Sequence, residues 1–445
     1  MKNKIYHSVT LDKEKCKGCT NCIKNCPTEA IRVRDGKARI LENKCIDCGE
    51  CIRICPHHAK TAVTDDFSIL KKFKYNVTIP APAFYGQFKE GTNLNEILTA
   101  LRQVGFDEVF EVASAAERVT EAIRKFITTH KGVKPLISSS CPAVIRLIQV
   151  RFPELVKNII PIKSPMEVAG KIVKEKLANK RQLKMKEIGV FFITPCPAKV
   201  TSIKSPVGSD RSYCDGAFSI SQIYNKVLVN IKKLEKVEAL QKASGLGIGW
   251  GRAGGENMAL DIDNTLSVDG IHNVIDVLEE VEMGKLYGID YIECQACVGG
   301  CIGGALTVEN RFVSRVRLRK LAEKIAGKPD VDPEEFNLHY KQGYYTMNRK
   351  VEPKPVKLDD NVVEAIKKMD QLEKTVEELP GLDCGACGSP NCRALAEDIV
   401  RGTASDVDCV FKLRERVKAL AEEMVSLSQK VPPAMGVKRG GNKEK

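Results

Sequence analysis

One spacing of cysteines, written twice, constrains this chain more than any other feature. Cys16, Cys19, Cys22 and Cys26, followed by Pro27, spell C-x2-C-x2-C-x3-C-P, and Cys45, Cys48, Cys51 and Cys55, followed by Pro56, repeat it. In such a run three thiolates can hold three corners of one iron-sulfur cubane while the fourth reaches across to a second. Cys16, Cys19, Cys22 and Cys55 are then the ligands of one 4Fe-4S cluster, and Cys45, Cys48, Cys51 and Cys26 those of the other. A pair of zinc sites is the competing reading, but zinc spacing usually leaves a longer gap between two C-x2-C pairs. Eight of 18 cysteines lie in the first 55 residues, so short strands and turns around metal are expected there. The repeat has no secretory h-region before it, and no run of 18 apolar residues follows it, which argues against export and membrane spans. In a reducing cytoplasm so many thiols read as metal ligands rather than disulfides.

The repeat resembles a bacterial two-cluster ferredoxin over nearly all of residues 1–65. At 445 residues the chain has room for two to four domains. From Tyr75 the texture becomes an alternation of strands and helices. Residues 77–79 and 108–112 read as strands and 95–104 and 116–127 as helices, the pattern of a mostly parallel sheet flanked by helices. Three further strand candidates, 135–137, 188–193 and 288–292, each run into a cysteine. Ligand sites in open α/β sheets gather at the carboxyl ends of strands, so these cysteines can converge on one cavity. Residues 351–356, VEPKPV, form a proline-punctuated linker leading to a helix near 362–374.

A second module follows, with Cys384, Cys387, Cys392 and Cys409 spaced C-x2-C-x4-C-x16-C over residues 376–412. Four thiolates suit tetrahedral zinc or a cubane equally well. The string GLDCGACGSPNCRALAEDIV resembles a small single-cubane domain of anaerobic electron-transfer proteins, which implies a third 4Fe-4S cluster. Val410, Leu413, Val417, Leu420, Met424 and Leu427 then make an apolar stripe at alternating three-four spacing. Two heptads are short for a coiled coil, so the stripe over residues 413–430 is expected to pack on its own domain. The alternative is a docking helix for a separate signalling protein. Residues 431–445 read as a basic, disordered tail.

Six cysteines remain: Cys141, Cys196, Cys214, Cys294, Cys297 and Cys301. SSSCP at 138–142, PCPAK at 195–199 and ECQACVGGCIGG at 293–304 resemble, in order, the three active-site signatures of the iron-only (FeFe) hydrogenases. The likeness extends through Ala81-Pro82-Ala83, Lys163-Ser164-Pro165 and Gly249-Trp250-Gly251 with Gly254-Gly255. The resemblance implies that Cys141, Cys196, Cys297 and Cys301 hold a fourth cubane. Cys301 would also bridge it to a two-iron unit with carbonyl, cyanide and dithiolate ligands, together the H-cluster. It further implies that Lys199 donates to one cyanide while Pro82 and Ala83 present backbone to the other. Gly299, Gly300, Gly303 and Gly304 would let backbone approach the cofactor without Cβ clashes, and Trp250 would line the site. The fold implied is an α/β central hydrogenase domain over residues 75–350, with parallel sheets flanked by helices and the H-cluster between. A small α+β ferredoxin-like domain precedes it and a small α-rich 4Fe-4S domain follows.

The chain departs from the family at the proton door. Catalytic members usually carry two adjacent cysteines in the first signature, the first of which shuttles protons; here that position is Ser140, whose hydroxyl is far less acidic than a thiol. Thr194, Ser202, Gln295 and Trp250 also replace the usual residues, sparing the metal ligands while changing what surrounds them. Cys294 and Glu256 are candidates for a replacement relay, and Cys214 reads as an inert buried thiol. These departures, with the extra cubane domain, resemble the sensory branch of the family and imply slow interconversion of H2 with protons and electrons. The partners implied are H2 and protons, a ferredoxin-like electron carrier, hydrogenase maturation enzymes and a separate signalling protein. Rival readings are a fully active ferredoxin-linked hydrogenase with another proton route, and a non-catalytic electron-transfer or assembly protein without the diiron unit.

The formal charge of +13 would ordinarily raise nucleic acid as a partner. Four thiolate-ligated cubanes, however, each carry roughly two negative charges when oxidised, which removes about eight. The basic excess is therefore read as compensation for buried cluster charge, with no nucleic acid and no membrane among the partners.

Overall fold

The computed structural model describes residues 6–325, 327, 329 and 331–430. The expected tail at 431–445 lies outside the described residues. Contacts divide the described residues into two compact units that do not follow the sequence modules: 6–17, 25–30 and 40–356 form one, and 18–24, 31–39 and 357–430 the other.

In the first unit β1 (Val9–Leu11) pairs antiparallel with β4 (Lys60–Ala62), closing the ferredoxin-like segment on itself. Two parallel sheets follow, as the family resemblance implied. The larger has the order β6-β5-β8-β9, with β5 Tyr75–Pro80, β6 Glu108–Val109, β8 Ile188–Thr194 and β9 Gly216–Ser219. The smaller has the order β10-β11-β7, with β7 Leu136–Ile137, β10 Thr265–Asp269 and β11 Tyr291–Gln295. Every pairing in both is parallel, so their carboxyl ends share a direction within each sheet. All seven residues of β8, IGVFFIT, are buried, as a strand covered on both faces requires. The strand expected at 108–112 is only two residues long, because Val112 already opens the helix Val112–Thr129, which buries Val112, Ala115, Ala116 and Val119. The three strands expected to deliver cysteines all do so, β7 and β11 from one sheet and β8 from the other.

In the second unit β2 (Ile31–Arg34) and β3 (Lys37–Ile40) form a two-stranded ribbon. Val33 N–H donates to the Gly388 carbonyl at 2.7 Å, and a Cβ on Gly388, at φ +79°, would come within 2.0 Å of the Val33 carbonyl oxygen. Only glycine can occupy that position. Arg32 and Arg34 both reach the Asp398 carboxylate, at 2.6 and 2.9 Å, and Arg34 also donates to the Cys387 carbonyl at 2.9 Å. The helix Val410–Ser428 buries none of its residues; Leu413, Val417, Leu420, Met424 and Leu427 are all exposed. The expectation that this stripe packs on its own domain is therefore corrected. The helices Val362–Glu378 and Cys392–Val400 already fill the small core around Leu372, Leu395 and Ala396. No helix among the described residues is long and apolar enough to cross a membrane.

Candidate active site

Three turns from strand to helix assemble the site. Cys141 ends the segment after β7 and precedes the helix Pro142–Arg151; Cys196 stands between β8 and the helix Pro197–Lys204. In each case a proline takes the first helical position, where its missing N–H costs nothing. Cys297 and Cys301 follow β11. All four thiols line one partly open cavity, together with Ala81, Pro82, Ser140, Lys199, Trp250 and Gly300. The walls are otherwise mainly apolar, contributed by Val112, Ala116, Pro165, Met166 and Phe192.

Of the residues singled out in the sequence, Ala83, Gly299 and Gly303 do not line the cavity but support its wall. A Cβ on Gly303 would meet the Val298 carbonyl oxygen at 2.1 Å, and one on Gly304 the Pro195 carbonyl oxygen at 2.2 Å. Gly300, at φ +90°, would bring a Cβ within 2.4 Å of both Ala253 N and Gln295 Oε1. Trp250 is fixed by its indole N–H donating to Thr120 Oγ1 at 3.1 Å. The Lys163 ammonium donates to the Tyr344 carbonyl at 2.9 Å, anchoring the chain just before Pro165 and Met166.

Lys199 donates to the Ser140 carbonyl at 2.8 Å, so the cation of the second signature holds the backbone of the first. The Ser140 hydroxyl donates to Glu256 Oε2 at 3.0 Å, and the Ser138 hydroxyl lies 2.9 and 3.0 Å from the two Glu256 oxygens. Tyr291 completes the cage, its hydroxyl donating to Glu256 Oε1 at 2.5 Å. Glu256 is wholly buried. Its place is set by Gly255, whose Cβ would fall 1.9 Å from the Gly249 carbonyl oxygen, so the glycine pair lets two backbones touch. Burial pushes the Glu256 carboxyl up, against hydrogen bonds from Tyr291, Ser138 and Ser140 that pull it down.

Glu293 stands two residues beyond Tyr291 on β11 and so faces the same side. It accepts from the backbone N–H groups of Gly254 and Asn257, both at 3.0 Å, from Gln295 Nε2 at 2.8 Å and from Ser267 at 3.3 Å. Burial, with repulsion from Glu256, pushes its carboxyl up to about 8. Ser267 itself is exposed. Cys294 alternates to the other face, where it packs with Ile137, Val144, Ile275 and Ile292 and does not line the cavity. Burial raises its thiol far above the ordinary range. Cys214 is likewise buried, with its thiol toward the Met166 carbonyl. The sequence reading passed over Ser138, Tyr291 and Ser267. Period-two alternation from Glu293 back to Tyr291 was the available signal for the tyrosine; nothing local pointed to Ser138 or Ser267.

The donor set suits the group that the sequence resemblance implies. Burial raises the thiols of Cys141, Cys196 and Cys301, the last to about 12. Metal binding must therefore displace protons from thiols whose burial holds them neutral. Four convergent thiolates would take a cubane. The adjoining apolar space, with Lys199 on its wall, the buried unpartnered Gln295 Oε1 and a glycine backbone at Gly300, leaves room for a larger group at Cys301.

A family model for the iron only hydrogenase large subunit, C-terminal domain, matches residues 74–262 and 219–305. A 4Fe-4S dicluster model matches residues 8–56, and an Fe-S cluster model residues 379–411. Iron hydrogenase 1 of Clostridium pasteurianum is 24% identical over 399 residues, covering 73% of this chain and 69% of the relative. A probable cytosolic Fe-S cluster assembly factor of Caenorhabditis elegans, oxy-4, is 23% identical over 334 residues, 59% of this chain and 72% of its own. The solved apo structure of a variant [FeFe]-hydrogenase HydA1 from Chlamydomonas reinhardtii superposes with a TM-score of 0.52 at 15% identity, covering 65% of this chain and 99% of that one. That likeness is one of fold. The two stretches matched by the hydrogenase model together run from residue 74 to 305, more than half of the 445 residues, and the chain belongs to the iron-only hydrogenase family.

Proposed function

We propose that the protein is a cytoplasmic FeFe hydrogenase of low turnover that binds H2 at an H-cluster and serves in hydrogen or redox sensing. The observation that carries this reading is the Ser140 hydroxyl at the cavity wall, hydrogen-bonded to a buried carboxylate rather than replaced by a thiol. Cys141, Cys196, Cys297 and Cys301 would hold the cubane, Cys301 extending to the diiron unit, with Pro82, Trp250 and the glycine backbone at Gly299, Gly300 and Gly303 around it. When bound, that group would supply the redox chemistry that interconverts H2 with protons and electrons. The chain's own residues do the rest. Lys199 holds the Ser140 backbone and places one positive charge at the cavity wall. Ser140 takes a proton at Oγ and passes it to Glu256 Oε2, while Ser138 and Tyr291 keep that carboxylate aimed. Glu293, close enough to Glu256 to feel its charge, and the exposed Ser267 that donates to it would carry the proton on toward solvent. A hydroxyl is a reluctant carrier at neutral pH, which limits the rate.

Cys16, Cys19, Cys22 and Cys55 would hold a first accessory 4Fe-4S cluster, Cys26, Cys45, Cys48 and Cys51 a second, and Cys384, Cys387, Cys392 and Cys409 a third, which would supply one-electron transfer with a ferredoxin-like carrier or a partner. Kinship with an assembly factor favours a second reading, in which the four central cysteines hold a cubane without the diiron unit. Lys199 and the glycine wall argue for the first, since a bare cubane needs neither. The deciding experiment is infrared spectroscopy after loading with the diiron precursor by maturation enzymes. Iron-bound carbonyl and cyanide bands are expected together with slow H2 turnover; their absence overturns the reading, and turnover at ordinary hydrogenase rates overturns its sensory part.

A further inference from the structure

The ferredoxin-like segment places one cation against the central cysteines. Arg53 lies two residues after Cys51 and two before Cys55, proposed ligands of the two different cubanes of that segment. Its side chain reaches out of the segment with one nitrogen and keeps the other within it. Arg53 Nη1 lies 3.5 Å from Cys297 Sγ and 3.4 Å from the Gly303 carbonyl oxygen, while Nη2 donates to Glu50 Oε2 at 2.5 Å. The pair is largely shielded, with side chains 18% and 21% exposed. The approach is built in by Gly49, at φ +79°, where a Cβ would stand 2.7 Å from Ala305 Cβ and 3.2 Å from Pro197 Cγ. The short helix Glu50–Arg53, capped by Gly49, is thus pressed onto the turn after Cys301 and the residue after Cys196.

We propose that Arg53 is a positioning residue that sets the reduction potential of the central cubane by donating to the Cys297 sulfur, with Glu50 moderating its charge. This rests on the reading that Cys297 ligates a cubane. Each electron added to a cubane places negative charge on its core and on its ligand sulfurs. A guanidinium beside one of those sulfurs stabilises the reduced form more than the oxidised, and hydrogen bonds to ligand sulfur are among the determinants of cluster potential. Arginine keeps its charge at every accessible pH, so this bias does not switch off. Its fork lets one nitrogen address Cys297 while the other holds Glu50, which a lysine point charge cannot do. Electrons arriving through the ferredoxin-like segment are thereby drawn to the central site. A purely structural role, an ion pair that fastens one loop to another, makes no prediction of sign; the electrostatic role makes two.

The test uses the full chain carrying its iron-sulfur clusters, produced without diiron maturation so that turnover plays no part. The central cubane is followed by EPR in a potentiometric titration and assigned as the signal lost in Cys297→Ser. Arg53→Met should reduce the reduced-to-oxidised ratio at fixed potential about tenfold, a fall of 59 mV for a one-electron couple. Glu50→Gln should move the midpoint the opposite way, and Arg53→Lys should fall between Arg53→Met and the unaltered protein. An unchanged midpoint in Arg53→Met with the cubane loaded overturns the proposal. If Arg53→Met loses iron, Glu50→Gln decides alone: an upward shift supports the assignment and no shift, or a downward one, overturns it. Absence of any signal that depends on Cys297 in the unaltered protein overturns the cubane reading itself, and the proposal with it.

Discussion

Ser140 and Glu256 are 116 residues apart in sequence, yet the hydroxyl of one lies 3.0 Å from the carboxylate of the other at the wall of the four-cysteine cavity. The contact closes a polar line where the family usually places a thiol. Substituting Glu256 by Gln preserves shape and the hydrogen bonds from Ser138 and Tyr291 but removes the proton acceptor. H2 turnover should fall about 100-fold, the lower end of what a positioned acid-base group contributes, with infrared bands of the loaded cofactor unchanged. Cys294→Ala, on the opposite face of β11, should leave turnover as it was and cost about 1 kcal/mol of stability for a small buried void. Equal losses in the two variants would remove Glu256 from the relay.

Ser140→Cys restores the more acidic group at the door. With the neighbouring Glu256 in place to receive its proton, the thiol should raise turnover about tenfold or more, since acid-base efficiency improves as the donor approaches the working pH. The comparison is made on equally loaded protein by H2 evolution from a chemical reductant. A rate at or below that of the unaltered chain would mean that the slow step lies elsewhere.

The convergence of Cys141, Cys196, Cys297 and Cys301 on one cavity was legible because strands that run into cysteines carry their own destination. The alternation of strands and helices pointed by itself to one sheet, and only the family resemblance implied more than one, since register between β7 and β11 depends on residues 155 positions apart pairing as Leu136 with Tyr291. Glu256 was found through its glycine pair, but Ser138 was not, because a serine in a serine run carries no mark of its partner. Cys294 looked eligible by its nearness to Cys297 in sequence; strand alternation turns it into the apolar cluster instead. The stripe from Val410 to Leu427 was read as packed, and the small core of its unit is already filled without it.

Glu293 gives the site a pH signature. Burial and the Glu256 charge raise its carboxyl to about 8, so the folded chain keeps a proton that the unfolded chain gives up near 4.5. That contribution to stability is complete below the unfolded value and is lost as pH rises through about 8. In the proposed relay Glu293 serves H2 oxidation as a base, so the oxidation rate should climb as pH approaches and passes 8. Evolution needs the acid and should decline over the same interval. Glu293→Gln should flatten both limbs, measured as initial rates in each direction at fixed ionic strength, and profiles that keep their slope would place the titrating group elsewhere.

Asp398 ties the second unit together, accepting from Arg32, Arg34 and the Ser389 hydroxyl while its side chain is only 8% exposed. Arg32 is equally shielded, at 5%. Removing the carboxylate leaves two guanidinium groups facing each other with little water, and breaking one partner out of a buried ion pair costs about 3–5 kcal/mol. Asp398→Ala should therefore lower the thermal midpoint of that unit and release the iron proposed at Cys384, Cys387, Cys392 and Cys409 before the other clusters. Asp398→Asn keeps the shape and one acceptor and should fall between. The measurement is iron content per chain after a mild heat step, with the central cubane as internal reference. Equal retention in all three proteins would show that this unit is held by its apolar core around Leu395 rather than by the buried charges.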